Sequence, residues 1–212
     1  MGRFIFLATL ILVCASAGFA QSSDYNKIEF YGGYSHNRVD TGIDDSDPEF
    51  SDIVNEREGF NGFNASITGN VTRYVGLKFD VAGHFKKKRI PLGNSGGSID
   101  IESSVFNFLG GVQLKDNASE GSFKPFAHAL VGAARARNKA NLNEAGCILI
   151  VPSPCPNFDN TDTGLAGAIG GGLDIRVNNK VDVRAIQFDY NPTRVFGATQ
   201  HNFRIGAGIV FH

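Results

Sequence analysis

The 212-residue chain has no tryptophan, one methionine and three cysteines, and past its N-terminal leader it lacks any apolar run of about 18 residues. The missing run excludes a transmembrane helix in the body of the chain. If the protein crosses a membrane, it does so with strands. Neither sign of charge dominates, with 20 basic and 21 acidic residues and a net charge of −1, so there is no global case for nucleic-acid binding. Helical 3.6-residue periodicity is also absent over any useful length. The five histidines show no metal-ligand spacing, and no cofactor motif stands out.

What is present begins with an export leader. Arg3 gives a positive start, Phe4 to Val13 form an apolar stretch, and small residues run from Ala15 to Ala20. The expected division is a signal peptide over residues 1–20, cleaved after Ala20, and one domain over 21–212. Cys14 is a poor lipoprotein anchor because Val13 before it is not small.

The 26 glycines and 18 phenylalanines punctuate a recurring two-residue alternation. From Val75 to Phe85 the odd positions are apolar or glycine, while Lys78, Asp80 and His84 occupy even ones. Phe63, Ala65, Ile67 and Val71 alternate with Asn64, Ser66, Thr68 and Asn70. Near the C-terminus Phe203, Ile205, Ala207, Ile209 and Phe211 alternate with Asn202, Arg204, Gly206 and Gly208. Five further segments complete a set of eight strands: Lys27 to His36, Ser104 to Lys115, Lys124 to Arg137, Gly164 to Arg176 and Val181 to Tyr190. The seventh loses its alternation at Ala185 to Gln187, which predicts a bulge.

The connections alternate in length. Long stretches at Asn37 to Glu58, Lys86 to Ser103 and Asn138 to Thr163 are interleaved with shorter ones at Thr72 to Tyr74, Asp116 to Phe123 and Asn178 to Lys180. Asn191 to His201 forms the last. Short periplasmic turns and long outer loops are the pattern of a transmembrane barrel, and strands of about 9–11 residues suffice to cross the bilayer. The predicted fold is all-β, an eight-stranded antiparallel transmembrane β-barrel. A soluble lipocalin-like binder shares the alternation but reverses which face is wet.

In a membrane barrel the polar face points inward, so Lys78, Asp80, Asp174, Arg176, Asp182, Arg184 and Arg204 are expected to form a lumen charge network. Closing the tight hairpin around Asn178, Asn179 and Lys180 sets Arg176 opposite Asp182 and Asp174 opposite Arg184. A structural role fits these pairs better than an ion pathway. The acidic first loop, from Asp40 through Asp45 to Glu58, lacks the glycine of a helix-flanked calcium loop. It reads as solvated, with weak divalent-ion binding as the lesser alternative. Lys86, Lys87, Lys88 and Arg89 leave the third strand on the outside, either as a solvated cap or as a contact for lipopolysaccharide phosphates. Cys147 and Cys155 in the third long loop favour a disulfide once exported. Gly167 to Gly172 reads as close barrel packing, since no helix follows it as a nucleotide loop requires. Small-barrel deacylases and acyltransferases need a serine near a base. Ser35 and His36 are adjacent and point to opposite faces, so no catalytic residue is assigned.

The run Gly170-Gly171-Gly172-Leu173-Asp174-Ile175-Arg176, with Val183-Arg184 and Asp189-Tyr190 after it, resembles the outer-membrane β-barrel family that includes the OmpA transmembrane domain. Lys124-Pro125-Phe126-Ala127-His128-Ala129 is similar to that family's fifth strand. The resemblance covers residues 24 to 212. It implies an eight-stranded barrel with surface loops and no catalytic site. Two departures stand out: the sequence ends with its eighth strand, so a peptidoglycan-binding role is not expected, and Phe211 is penultimate instead of terminal. The expectation is therefore a monomeric, non-enzymatic protein in the outer membrane of a Gram-negative-type bacterium, without cofactor or bound metal. Its partners would be outer-membrane lipids, lipopolysaccharide and an extracellular ligand met through the loops. The alternatives are a narrow porin-like channel for small solutes and the soluble binder.

Overall fold

The computed structural model describes residues 25–40, 57–92, 97–142 and 157–212. The leader, most of the acidic first loop and the Cys147 and Cys155 pair lie outside these residues. Eight strands follow in chain order: β1 (Ile28–Asp40), β2 (Arg57–Asn70), β3 (Val75–Leu92), β4 (Gly97–Lys115), β5 (Phe123–Leu142), β6 (Asn157–Arg176), β7 (Val181–Val195) and β8 (Ala198–Phe211). Each pairs antiparallel with its neighbours, and β1 pairs with β8 to close the barrel. Closure leaves no free sheet edge, so every strand finds backbone partners on both sides without water.

The alternation read from the sequence decides which side faces lipid. Phe30, Phe79 and Ile169 are 53%, 51% and 66% exposed on the outside, whereas Lys78, Asp80 and Arg204 are no more than 2% exposed inside. A soluble barrel would place these groups the other way round, and this inversion rules out the lipocalin-like alternative.

The strands run further than the sequence predicts. β3 to β6 each hold 18 to 20 residues, about twice what a bilayer requires. Most of Lys86 to Ser103 and part of Asn138 to Thr163, expected as loops, are strand. The cause is a set of cross-strand charge matches that keeps the ladder paired beyond the apolar belt. Lys87 faces Glu102, Glu102 faces Lys139, and Lys139 faces Asp159, an alternating row over four strands. The last connection is also tighter than expected. β7 and β8 meet at Phe196 and Gly197, whose φ angles of 53° and 76° suit a two-residue hairpin turn.

The opposite end is built from short turns. Val71 and Val177 donate their backbone N–H groups to Val75 and Val181, and the His212 N–H donates to the Lys180 carbonyl. Arg73 binds Asp116 with both its Nε and Nη2 at 2.8 Å, clamping two turns together. That guanidinium holds the Asp116 carboxyl below the usual carboxylate range.

Close strand approach explains the glycine run on β6. A Cβ on Gly170 would lie 2.2 Å from the Phe188 carbonyl oxygen and 2.2 Å from Asp189 Oδ1. The backbone cannot yield cheaply inside a closed barrel. Gly170→Ala is expected to cost about 1–3 kcal/mol, read as a lower urea midpoint for loss of the heat-modifiable band on unheated gels. A midpoint equal to that of the unmodified protein would show that β6 and β7 have room to separate.

Candidate functional site: a filled lumen and a charged rim

Every strand sends polar side chains into the barrel. Below the mouth the buried charges balance, with Lys78, Lys115, Lys124, Arg184 and Arg204 against Glu29, Asp80, Asp174, Asp182 and Asp189. Charges removed from water must find partners, and these do so in two centres.

The lower centre surrounds Asp174. Arg184 Nε and Nη2 donate to its two oxygens at 2.8 and 3.1 Å, and Lys115 Nζ reaches it at 2.9 Å. Lys115 also donates to Glu29 at 3.1 Å. Asp182 is held by Lys124 at 3.0 Å and by His212 at 2.9 Å. The Arg184 guanidinium lies between the Tyr31 and Phe126 rings, 4.2 and 3.9 Å from their centroids.

The upper centre surrounds Arg204. Its Nη1 donates to Asp80 at 2.9 Å and its Nη2 lies 2.7 Å from Asp189. Asn64 donates to Asp80 at 2.8 Å, and His128 lies 2.9 Å from Asp189. Gln187 joins the two centres, accepting from Arg184 at 2.9 Å and donating to Asp189 at 2.7 Å. Lys78 rests on His128, 3.4 Å away, and faces the Phe126 ring.

Toward the outer mouth an apolar cluster joins the lining beside the buried Asn37, Asn107, Thr193 and Asn202. Val39, Phe60, Val105, Leu109, Leu130, Ala134, Ala136, Ala166, Ala168 and Val195 form one buried cluster. It opens into a cavity of about 230 Å³ whose rim carries Glu58, Lys86 and Lys88. An ion entering from outside meets this mixed layer first and the salt-bridge centres next.

A closed antiparallel barrel with an apolar belt outside and a charged lumen agrees with what comparison finds: residues 5–211 match the family described as Outer membrane protein beta-barrel domain. The chain belongs to this family. Its fold is similar to that of Ail, the attachment invasion locus protein of Yersinia pestis. The structure of Ail in complex with the heparin analogue sucrose octasulfate aligns at 15% identity over 87% of this chain and 98% of Ail, with a TM-score of 0.57. Ail alone aligns at 15% identity over 88% and 99%, with a TM-score of 0.56. The outer membrane protein OprG from Pseudomonas aeruginosa aligns at 12% identity over 90% of this chain and 98% of OprG, with a TM-score of 0.49. Among curated proteins none matches.

Within this outer-membrane barrel the residues singled out in the sequence separate into those that meet and those that do not. Lys78, Asp80, Asp174, Asp182, Arg184 and Arg204 all lie buried in the lumen. Arg176 does not join them. Its Cα faces Asp182 as the hairpin register requires, yet its guanidinium turns out to the Glu120 carbonyl at 3.0 Å and Asn179 Oδ1 at 2.6 Å. Asp182 is already held by Lys124 and His212, and a long side chain at a strand end reaches water readily.

Glu29, Lys115, Lys124 and Asp189 were not anticipated. Lys115 and Lys124 read as the terminal residues of their strands, with no inward role assigned to them. Asp189 follows the bulge at Arg184 to Gln187, which moves the inward positions from even to odd numbers.

The basic cluster is divided by the same alternation. Lys86 and Lys88 point inward and share Glu58, with Lys88 at 3.4 Å. Lys87 and Arg89 point outward to Glu102 and Asp100, at 2.5 and 2.6 Å. Hydrogen bonds from these cations hold the Glu102 and Asp100 carboxyls below their usual range. All four cations thus have carboxylate partners. Ser35 hydrogen-bonds His84, not His36, at 2.9 Å. Both are fully buried, and His84 Nδ1 has no partner among the described residues, so no carboxylate orients this dyad as a base.

Proposed function

We propose that the protein is a sealed, non-enzymatic barrel that serves as a structural and surface-interaction component of the outer membrane. The observation that carries this reading is the filled lumen: among the described residues ten balanced charges lie buried beneath a layer rich in apolar side chains, and large side chains occupy the axis. What remains available for function is the outside. Four strands extend past the lipid belt as a charged wall, and the connections between β1 and β2 and between β5 and β6 rise from the same end. An export leader over residues 1–20, a Cys147 to Cys155 disulfide and a monomeric state complete the reading. The complex of Ail with a heparin analogue makes a sulfated glycan the first extracellular ligand to try.

Two measurements test it. Liposomes containing the folded protein should swell in an isosmotic small-sugar solution no faster than protein-free liposomes, whereas steady swelling would favour the narrow-channel alternative. Cells displaying the protein should bind immobilised heparin above a vector control, and replacing residues 41–56 and 143–156 with short turns should abolish the difference. Equal binding by both forms would remove the loops from the interface.

A further inference from the structure

At the end of the barrel that carries the short turns, a polar hollow of about 300 Å³ opens between the β4–β5 turn, the β6–β7 turn and Tyr25 before β1. Its wall includes Asn117, Glu120, Lys124, Arg176 and Asn179. Asn117 is 5% exposed, yet neither the nitrogen nor the oxygen of its side-chain amide has a partner among the described residues. Its backbone N–H serves the turn, donating to the Arg73 carbonyl at 2.9 Å. Burying an amide with no partner is unfavourable, so the turn alone does not account for this side chain.

Both signs of charge surround this amide. Arg176 donates from Nη1 to the Glu120 carbonyl at 3.0 Å and from Nη2 to Asn179 Oδ1 at 2.6 Å. These contacts fix the guanidinium and leave other N–H groups of its fork unused, and no carboxylate is paired with it among the described residues. The Glu120 carboxylate is adjacent in the same wall, is exposed, and has no partner among the described residues either. Lys124 below them places one of its three donors on Asp182 at 3.0 Å, and His212 reaches the same oxygen at 2.9 Å. Arg176 and Lys124 are thus offset by Glu120 and the underlying Asp182.

A guanidinium takes a carboxylate through two N–H groups, a carboxylate takes an ammonium, and a side-chain amide matches the N–H and C=O of a peptide group. A single class of small molecule carries all three complements. We propose that this hollow binds the zwitterion of a short peptide, with the C-terminal carboxylate on Arg176 and Lys124, the N-terminal ammonium on Glu120 and a peptide group on Asn117. A simple anion or cation would leave one sign of charge unanswered, and a free amino acid lacks the peptide group. The volume lies at the small end of ligand sites, which suits a peptide of small residues. In an outer-membrane barrel this end faces the periplasm, and the site does not depend on whether the lumen conducts or the loops adhere.

The test uses the folded protein in detergent micelles with trialanine as the probe, read by saturation-transfer NMR. Trialanine should bind in the millimolar range, and amidating its C-terminus or acetylating its N-terminus should each weaken binding about tenfold, the loss of one charge-assisted contact. Free alanine should bind no better than either blocked peptide. Glu120→Gln alters a side chain that holds nothing among the described residues, so it should erase the discrimination against the acetylated peptide and keep that against the amidated one. Arg176→Gln should do the reverse, and Asn117→Ala should weaken all the peptides alike. The heat-modifiable gel shift confirms that each variant is folded. No binding of trialanine at about 10 mM would overturn the proposal. Equal binding of trialanine and its doubly blocked form would do so too, as would unchanged discrimination between the ends in folded Glu120→Gln.

Discussion

Arg204→Ala should lower the stability of the barrel by about 3–5 kcal/mol, the cost of breaking a buried ion pair by removing one partner. Arg204 is 1% exposed and serves two carboxylates, Asp80 and Asp189, from β3 and β7. Without it Asp80 keeps Asn64, and Asp189 keeps Gln187 and His128. Neutral donors satisfy the geometry of a carboxylate but not its charge. Arg204→Lys should recover only part of the loss, because one ammonium cannot span two acceptors as the fork does. Arg204→Met combined with Lys78→Met, Asp80→Asn and Asp189→Asn should approach the stability of the unmodified protein, since it removes two charges of each sign together. Urea titration in lipid vesicles, followed by the heat-modifiable gel shift, measures all three variants. A decrease below about 1 kcal/mol for Arg204→Ala would show that the centre is hydrated and its charges screened, as at a surface.

The same centre shows how far the sequence could be read. Strand number, antiparallel order and the inward parity of Lys78, Asp80, Asp174 and Arg184 follow from a period of two, which survives without knowledge of any contact. Three features do not follow. The alternation of Lys87, Glu102, Lys139 and Asp159 carries strand pairing past the membrane, but each segment alone reads as a charged loop. Lys115 and Lys124 belong to the lumen because strand tilt brings turn-proximal positions beneath it, a three-dimensional effect absent from local pattern. Asp189 changes face because the bulge after Arg184 inserts one residue, and a predicted bulge does not say on which side the chain resumes. Arg176 is the converse. Its register was legible, whereas the choice between Asp182 and the solvent-side Asn179 depended on competition from Lys124 and His212.

The largest functional change is expected from emptying both salt-bridge centres at once. Removing only Asp174 and Arg184, each to Ala, opens the lower centre while sparing Lys115, which retains Glu29. The Arg204 centre and the apolar layer of Leu109, Leu130 and Val195 still lie across the same axis. Barriers in series are governed by the highest, so this double variant should stay electrically silent in a planar bilayer. Adding Lys78→Ala, Asp80→Ala, Asp189→Ala and Arg204→Ala takes out three charges of each sign overall and leaves Glu29, Lys115, Lys124 and Asp182 in balance. The lumen then loses its bulkiest side chains without a stranded charge, and water can enter over most of its length. What remains is the outer layer and, at the lower mouth, the Lys115–Glu29 and Lys124–Asp182 pairs, and short constrictions of that kind flicker where a continuous packed network blocks. The sixfold variant should therefore show frequent openings, with the gel shift confirming a closed barrel. Steady conductance in the double variant would mean that the Arg204 centre is no second barrier. Silence in the folded sixfold variant would assign the seal to the outer layer and the remaining Lys115–Glu29 and Lys124–Asp182 pairs.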